Sequence, residues 1–272
     1  MARLAGRRAL VTGASRGIGA AVAERLAAEG ADVALVARTV DRHDHLAGSL
    51  HETRDRLARF GTAVTVVAAD LSDEADRARI VPEAVAGLGG PIDVLVNNAA
   101  AAIYGLPTVY SAKRRRLSFE VNVFAPHDLA MAVVPSMVER GEGWIVNVSS
   151  GTARGAAGPP YAPSALGART GMYGASKAAL NRMTQALAQD LYGTGVRVNT
   201  IEPRAAVMSE GADALIGGTV QASQIESMEE MVEGVLAVCD CPASFTGRIC
   251  VSLDLIAELR LDVHNLDGTP RS

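Results

Sequence analysis

The sequence predicts an α/β fold, a single domain built as a doubly wound parallel sheet with helices on both faces. Three observations predict it. Short apolar runs alternate with longer helix-forming segments, a glycine-rich turn joins the first run to a helix, and no Pro- or Gly-rich linker divides the 272 residues. One domain is expected over residues 1–272, with a core at about 6–259 and a polar tail at 260–272.

Arg8 to Thr12 reads as a buried strand that runs into Gly13-Ala14-Ser15-Arg16-Gly17-Ile18-Gly19 and then into Ala20 to Glu29, a strong helix former. Glycines in such a turn let backbone approach a pyrophosphate, and the helix N-terminus offers it N–H groups and positive dipole. Asp32 to Ala37 is a second strand with Arg38 at its carboxyl end, the position that faces the adenosine ribose in a sheet of this kind. An acidic residue there would accept the 2′-hydroxyl of NAD, whereas a guanidinium suits the 2′-phosphate of NADP. Arg16 offers a second cation. The competing reading is a pair of ordinary surface arginines.

Leu46 to Phe60 has helical spacing and is capped by Gly61, and Ala63 to Ala69 is a third strand ending in Asp70-Leu71-Ser72. Ser72-Asp73-Glu74 opens the next helix. Ile92 to Val96 is a fourth strand, and the small side chains of Asn97-Asn98-Ala99-Ala100 after it leave room for a flat cofactor. Ser118 to Val138 is largely helical and carries Asn122 among Val121, Val123 and Phe124; a buried amide there needs partners. Gly143 to Val148, a fifth strand, delivers Ser149 and Ser150 at its carboxyl end, where open parallel sheets bind ligands. Arg197 to Ile201 supplies a sixth strand, Met228 to Val238 a last helix and Arg248 to Leu253 a last strand.

Tyr173 and Lys177 open an Ala-rich helical run at a spacing that puts them on one face. A cation beside a phenol favours the phenolate, so this tyrosine is placed to trade protons near neutrality. Taken alone, the pair also reads as a surface Tyr and Lys on an amphipathic helix.

Composition narrows the partners. Net charge is −4, and the basic run Lys113–Arg116 is balanced by acids elsewhere, so nucleic acid is not expected. The run reads as a solvated helix face or, alternatively, as an anion or partner contact. Neither an apolar leader within Met1 to Gly6 nor eighteen uninterrupted apolar residues occurs, which predicts a soluble, cytoplasmic protein without a membrane partner. Cys239, Cys241 and Cys250 are expected as buried reduced thiols. His43 and His45 in a polar loop and the scattered His51, His127 and His264 predict no metal site.

In order along the chain, these motifs resemble the short-chain dehydrogenase/reductase family from about Gly6 to Leu259. Thr12-Gly13-x-x-x-Gly17-Ile18-Gly19 is similar to its nucleotide loop, Asp70 to its adenine-contacting acid, and Asn97-Asn98-Ala99-Ala100 to its N-N-A-G with alanine in the last place. Asn122, Ser150, Tyr173 and Lys177 resemble its catalytic tetrad. The resemblance implies a single-domain Rossmann fold, a homodimer or homotetramer, and a nicotinamide cofactor. Its binding residues would be Gly13, Ser15, Arg16, Gly17, Ile18, Gly19, Arg38, Asp70, Leu71, Asn98, Ala99, Tyr173, Lys177 and Pro203, with the arginines favouring NADP(H) over NAD(H). It also implies hydride transfer between that cofactor and a carbonyl or secondary alcohol. Tyr173 would be general acid/base, Lys177 would lower its pKa and hold the nicotinamide ribose, Ser150 would bind the substrate oxygen, and Asn122 would hold a water feeding protons to Lys177.

The chain departs from the family pattern in three places. The stretch between Ser150 and Tyr173 is longer than usual and holds Pro159, Pro160, Pro163 and a rival tyrosine, Tyr161, which has Ala165 where Tyr173 has Lys177. Pro203-Arg204 replaces Pro-Gly, with Met208 and Ser209 in place of the threonine that follows. The tail from Arg260 to Ser272 is additional. The extra loop and the segment Ala206 to Gln224 are expected to wall an apolar pocket for a medium-sized hydrophobic ketone, aldehyde or secondary alcohol; a subunit contact is the alternative for the loop. Assembly is expected through Ser118 to Val138 and the helix after Tyr173. A 3-oxoacyl-thioester reductase is the nearest rival among enzymes, and a nucleotide-binding regulatory protein without turnover is the rival outside them.

Overall fold

Apolar runs too short for helices pair side by side, and the helices between them return the chain so that every strand points the same way. The computed structural model describes residues 2–42, 46–161, 166–204, 206–209 and 225–271. Its strands are β1 (Arg8–Thr12), β2 (Asp32–Ala37), β3 (Val64–Ala68), β4 (Val94–Asn97), β5 (Gly143–Val148), β6 (Val196–Glu202), the two-residue β7 (Ala206–Val207) and β8 (Ile225–Glu226), and β9 (Ile249–Val251). Seven of them form one parallel sheet in the order β3-β2-β1-β4-β5-β6-β9, and β7 pairs with β8 separately. The expected Rossmann fold is therefore observed. The chain reverses direction across the sheet between β1 and β4, where Val11 lies beside Val96, and such switch points bind ligands.

Among the described residues the α-helices are α1 (Gly17–Ala28), α2 (Leu50–Leu57), α3 (Glu74–Leu88), α4 (Ala112–Phe119), α5 (Ala125–Arg140), α6 (Gly171–Asp190), α7 (Met228–Cys239) and α8 (Ser252–Leu259). They cover both faces of the sheet. One core gathers Val22 and Leu26 of α1, Leu57 of α2, and Val235 and Leu236 of α7. The other gathers Ile80 and Ala84 of α3, Leu129 and Val133 of α5, and Ala188 of α6. All six residues of β5 are buried, as a strand covered on both faces requires.

Capping explains where element boundaries differ from the sequence reading. The Ser49 hydroxyl accepts from the Glu52 amide at 3.1 Å, so α2 begins at Leu50 rather than Leu46, while Gly61 ends the run in the left-handed region as expected. Ser111 caps α4, which starts before the expected Ser118 and carries the exposed run Lys113–Arg116 in its first turns. The strand expected through Leu253 stops at Val251, because Ser252 and Leu255 turn inward as the buried positions of α8.

The tail folds back on the body. Leu261 and Leu266 pack against the core, the His264 amide donates to Glu233 at 3.3 Å, and Arg271 donates to the Ser227 hydroxyl at 3.0 Å. Glu233 itself is buried and paired with Arg25 at 2.9 Å. The three cysteines are buried and free, and burial pushes the Cys241 thiol up to about 12 and the Cys250 thiol to about 11. Among the described residues one helical run, Ala112–Arg140, is long and apolar enough to cross a membrane by length and composition. Its inward positions Asn122, Ala125, Leu129, Val133 and Met137 are buried within the protein.

Candidate active site

The glycine turn after β1 is held by polar groups of its neighbour strand. Thr12 Oγ1 accepts from the amides of Asn98 and Ala99, both at 3.1 Å, and Asn98 Nδ2 donates to the Thr12 carbonyl at 2.9 Å. Gly13 and Gly17 have φ of +68° and +55°, which favours glycine. A Cβ on Gly19 would stand 2.3 Å from both the Gly13 carbonyl oxygen and Asn98 Nδ2, so only glycine lets α1 press against the turn. Arg16, at the N-cap of α1, makes no side-chain cap bond, and no acid lies in the first turn. Ser15 is buried, and Ile18 packs on the core. These residues make a main-chain cradle that fits a diphosphate at a helix N-terminus. Asn98, expected as a cofactor contact, spends its amide on holding the cradle; Thr12 joins it, a role the sequence reading did not assign.

Arg38 stands at the carboxyl end of β2 with its side chain 72% exposed and 3.7 Å from Asp70 Oδ2. Arg16 reaches the same region, donating to the carbonyls of Ala47 and Gly48, both at 2.9 Å, and to Thr39 Oγ1 at 3.4 Å. Burial by itself would raise the Asp70 carboxyl, but bonds from the Ser72 amide and hydroxyl at 2.9 and 2.8 Å, with Arg38, hold it below its usual value. Leu71 beside it is buried, and its carbonyl accepts from Arg77 at 3.0 Å.

The other end of the site is assembled by β5, α6 and a π turn. Tyr173, 8% exposed in the first turn of α6, lies near Ser150 just past β5, and the serine hydroxyl opposes the rise that burial gives the phenol. Ser150 Oγ also pairs with Thr152 Oγ1 at 2.9 Å. A Cβ on Gly174 would fall 2.3 Å from the Thr152 carbonyl oxygen, so that glycine lets α6 approach the Ser150 turn. Lys177, fully buried, donates from Nζ to the Val148 carbonyl at 2.7 Å and lies 5.9 Å from the Tyr173 ring centroid. Asn122 sits in the π turn Glu120–Phe124 between α4 and α5, a local widening often found at functional sites.

Burial and then the nearby Tyr104 push the Tyr173 phenol up, and the Ser150 hydroxyl opposes the rise. Burial pushes Lys177 itself down to about 8, and its ammonium is directed to Val148. The Asn122 side chain, expected to hold a water, is largely committed. Its Oδ1 accepts from the Ala101 amide at 2.7 Å, and its Nδ2 donates to the Ala101 carbonyl at 3.3 Å and Ser176 Oγ at 3.0 Å. Ser176 Oγ in turn donates to the Tyr173 carbonyl at 2.7 Å, so Asn122 joins the loop after β4 to the first turn of α6.

Features invisible in the sequence support this end. Asn97 donates to Asn147 Oδ1 at 2.9 Å across β4 and β5, and Asn147 donates to Thr184 Oγ1 of α6 at 2.8 Å. Arg154, after the Ser150 turn, pairs with buried Glu202 at the end of β6; burial raises that carboxyl and Arg154 opposes the rise. After Pro203, the Arg204 amide donates to Glu226 at 2.8 Å and its guanidinium pairs with Asp254, so this departure from Pro-Gly is built into contacts with β8 and α8. In the extra loop, Gly155 to Tyr161 are exposed and Tyr161 is 70% exposed. Residues 162–165, 205 and 210–224, on which the expected pocket walls also rest, lie outside the described residues.

A main-chain diphosphate cradle at the switch point, with a half-buried serine and a buried tyrosine and lysine grouped at the carboxyl ends of the strands, defines the class: a nicotinamide-dependent oxidoreductase of the Rossmann type. The chain belongs to the short chain dehydrogenase family, whose model matches residues 7–213. This is a family of NAD(P)-dependent dehydrogenases and reductases acting on CH–OH groups, generally soluble. The ketoacyl reductase HetN of Nostoc sp. is 34% identical over 203 residues, covering 75% of this chain and 64% of that protein. The chain thus spans less than two thirds of the length of that relative. A crystal structure of a short chain dehydrogenase from Mycobacterium thermoresistibile is 27% identical with a TM-score of 0.81, covering 98% of this chain and 93% of that one. A 3-oxoacyl (acyl-carrier-protein) reductase from Agrobacterium tumefaciens with NADP bound is 29% identical with a TM-score of 0.75, covering 91% and 93%.

Proposed function

We propose that the protein is an NADP(H)-dependent reductase or dehydrogenase that interconverts a carbonyl and a secondary alcohol, with Tyr173 as general acid/base. The observation that carries this reading is the buried phenol of Tyr173 near Ser150, with the buried Lys177 one turn further along α6 and its Nζ 5.9 Å from the tyrosine ring centroid. Nicotinamide, when bound, supplies or accepts the hydride. The glycine turn holds the diphosphate, and Arg38 with Arg16 gives a 2′-phosphate charge-assisted hydrogen bonds that a bare ribose lacks; the solved relative with NADP bound agrees with that preference. Asp70 and Leu71 border the adenine side, and Ala99 and Pro203 the nicotinamide side.

Ser150 binds the substrate oxygen, and Tyr173 gives it a proton as charge develops there. A phenol raised by burial stays protonated at neutral pH and still yields its proton to an alkoxide, the stronger base. Lys177, at about 8, is mostly protonated at neutral pH and can donate to a ribose hydroxyl. Asn122 fixes the loop and helix around this group, and a proton relay to Lys177 through water would use the Oδ1 lone pair that Ala101 leaves over. The names of HetN and the Agrobacterium enzyme favour a second reading of the substrate, a 3-oxoacyl thioester rather than a free hydrophobic ketone.

We read the protein as a cytoplasmic homodimer or homotetramer. Phe124, Met131 and Val138 are exposed at heptad spacing along the π turn and α5, a stripe suited to a second copy. Light scattering at micromolar concentration that gives a mass near 28.2 kDa would remove the oligomer. For the chemistry, NADPH and NADH titrations followed by fluorescence come first, then a panel of hydrophobic ketones and 3-oxoacyl thioesters. Equal dissociation constants would end the NADP preference, and tight binding with no turnover on any carbonyl would favour a regulatory nucleotide binder instead.

A further inference from the structure

Tyr104, in the loop between β4 and α4, belongs to none of the four side chains just described. Its ring centroid lies 5.6 Å from that of Tyr173, with the planes at 59°, a tilted arrangement in which aromatic rings attract. The loop is held on both sides of it. Asn122 clasps Ala101 at both amide and carbonyl, the Tyr110 hydroxyl donates to the Ile103 carbonyl at 3.0 Å and shares a hydrogen bond with Ser118 Oγ of α4 at 3.1 Å, and the Gly105 amide donates to the Arg169 carbonyl at 2.8 Å. Arg169 lies immediately before α6. The three attachments reach the π turn, α4 and the entry to α6, so the ring of Tyr104 is set against the same helix that carries Tyr173.

We propose that Tyr104 is a positioning residue for Tyr173: its ring shields the phenol from water, holds it toward Ser150, sets the pH range of proton transfer and gives the substrate pocket an aromatic wall. The inference rests on the reading of Tyr173 as general acid/base. A phenolate needs water, a cation or hydrogen-bond donors around it, and a second neutral ring removes the first of these. The charged groups on the elements packed around α6 are few. On α6 itself Lys177 lies one turn from Tyr173, while Arg182 and Asp190 are exposed further along; Glu120 of the π turn pairs with Arg77, Arg154 pairs with Glu202, and Arg169 and the α4 cations are exposed. Burial keeps the Tyr104 phenol above its usual value as well, so both rings are neutral across the working range.

The test compares Tyr104→Phe, which keeps the ring, with Tyr104→Ala, which admits water, in the pH dependence of kcat/KM for alcohol oxidation with NADP. Activity in that direction rises with pH as the base loses its proton. The Ala variant is expected to move this limb down by about one pH unit or more, whereas Phe stays near the parent protein. The ratio of kcat/KM on cyclohexanone to that on acetone should fall in Ala and persist in Phe. A thermal melt checks folding, and Tyr104→Leu replaces Ala if Ala does not fold. An unmoved limb in a folded Ala or Leu variant overturns the proposal. Substantial turnover by Tyr173→Phe would instead overturn the reading beneath it, so the two failures are separable.

Discussion

Around the glycine turn the contacts are made by main chain and the smallest side chains: a threonine hydroxyl, an asparagine amide, and glycines whose missing Cβ atoms admit neighbouring carbonyls. Around Tyr173 they are made by side chains, Ser176 and Lys177 from its own helix, Asn122 from a π turn and Tyr104 from a loop. The first region tolerates no added atom but asks little of side-chain chemistry. The second depends on the chemistry of each group and on segments whose lengths vary, which is where the chain departs from its family. Substitutions should accordingly fail in different ways: at the turn by excluding the cofactor, at the tyrosine by stopping turnover in a site that still binds.

The sharpest break is Tyr173→Phe, which keeps the ring and removes the proton. Turnover should fall by about a thousandfold or more while NADPH affinity changes little, since general acid catalysis is worth roughly a hundred- to ten-thousandfold. Tyr161→Phe should be near normal; the reverse pattern would transfer catalysis to the exposed loop.

Lys177→Met tests the cost of the buried site. The lysine falls from 10.5 to about 8 on folding, so the folded state binds its proton more weakly. Its stability cost is then full below about pH 8 and disappears as pH rises toward 10.5, amounting to roughly 3 kcal/mol at 1.36 kcal/mol per pH unit. The parent protein should gain stability relative to Lys177→Met across that window in chemical denaturation. A gap that does not change with pH would show the ammonium to be well solvated.

Gly19→Ala puts a methyl 2.3 Å from the Gly13 carbonyl and should weaken cofactor binding by about a hundredfold, some 3 kcal/mol. Gly155→Ala, whose Cβ meets nothing within 4 Å, is the control, and calorimetric titration with NADPH reads both. Similar affinities for the two variants would mean that the turn relaxes.

The smallest effect belongs to the boundary between the regions. Arg38→Asp should lower the preference for NADPH over NADH by roughly ten- to a hundredfold, the worth of a charge-assisted hydrogen bond. Arg16 keeps its loop contacts in that variant, so some preference should survive, and competition binding of the two cofactors measures it. A ratio that does not move would leave Arg38 a surface residue.

The fold and the turn were legible because they follow from local rules. Periodicity named the strands from Arg8 to Ile201, and glycine spacing named the cradle. Tyr173 and Lys177 were legible as helix neighbours, but not their protonation: spacing puts an ammonium near a phenol, while burial and Val148 decide what each one does. Thr12 reads in sequence as the end of a strand, and its role appears only when β4 brings the amides of Asn98 and Ala99 to it. Tyr104 carries no signal at all until the loop is folded onto α6.

By itself, then, the sequence determined the parallel sheet, the glycine turn after its first strand, the cation at the end of β2 and the helix face shared by Tyr173 and Lys177, since each depends on neighbours within a few residues. Tertiary structure decided the state of those groups: which carbonyl takes the lysine, which loop the asparagine clasps, and how dry the tyrosine is. Ionisation and hydrogen-bond partnership depend on which atoms, from any part of the chain, replace water around a group. That information resides in the packing of segments far apart in sequence, and no local pattern encodes it.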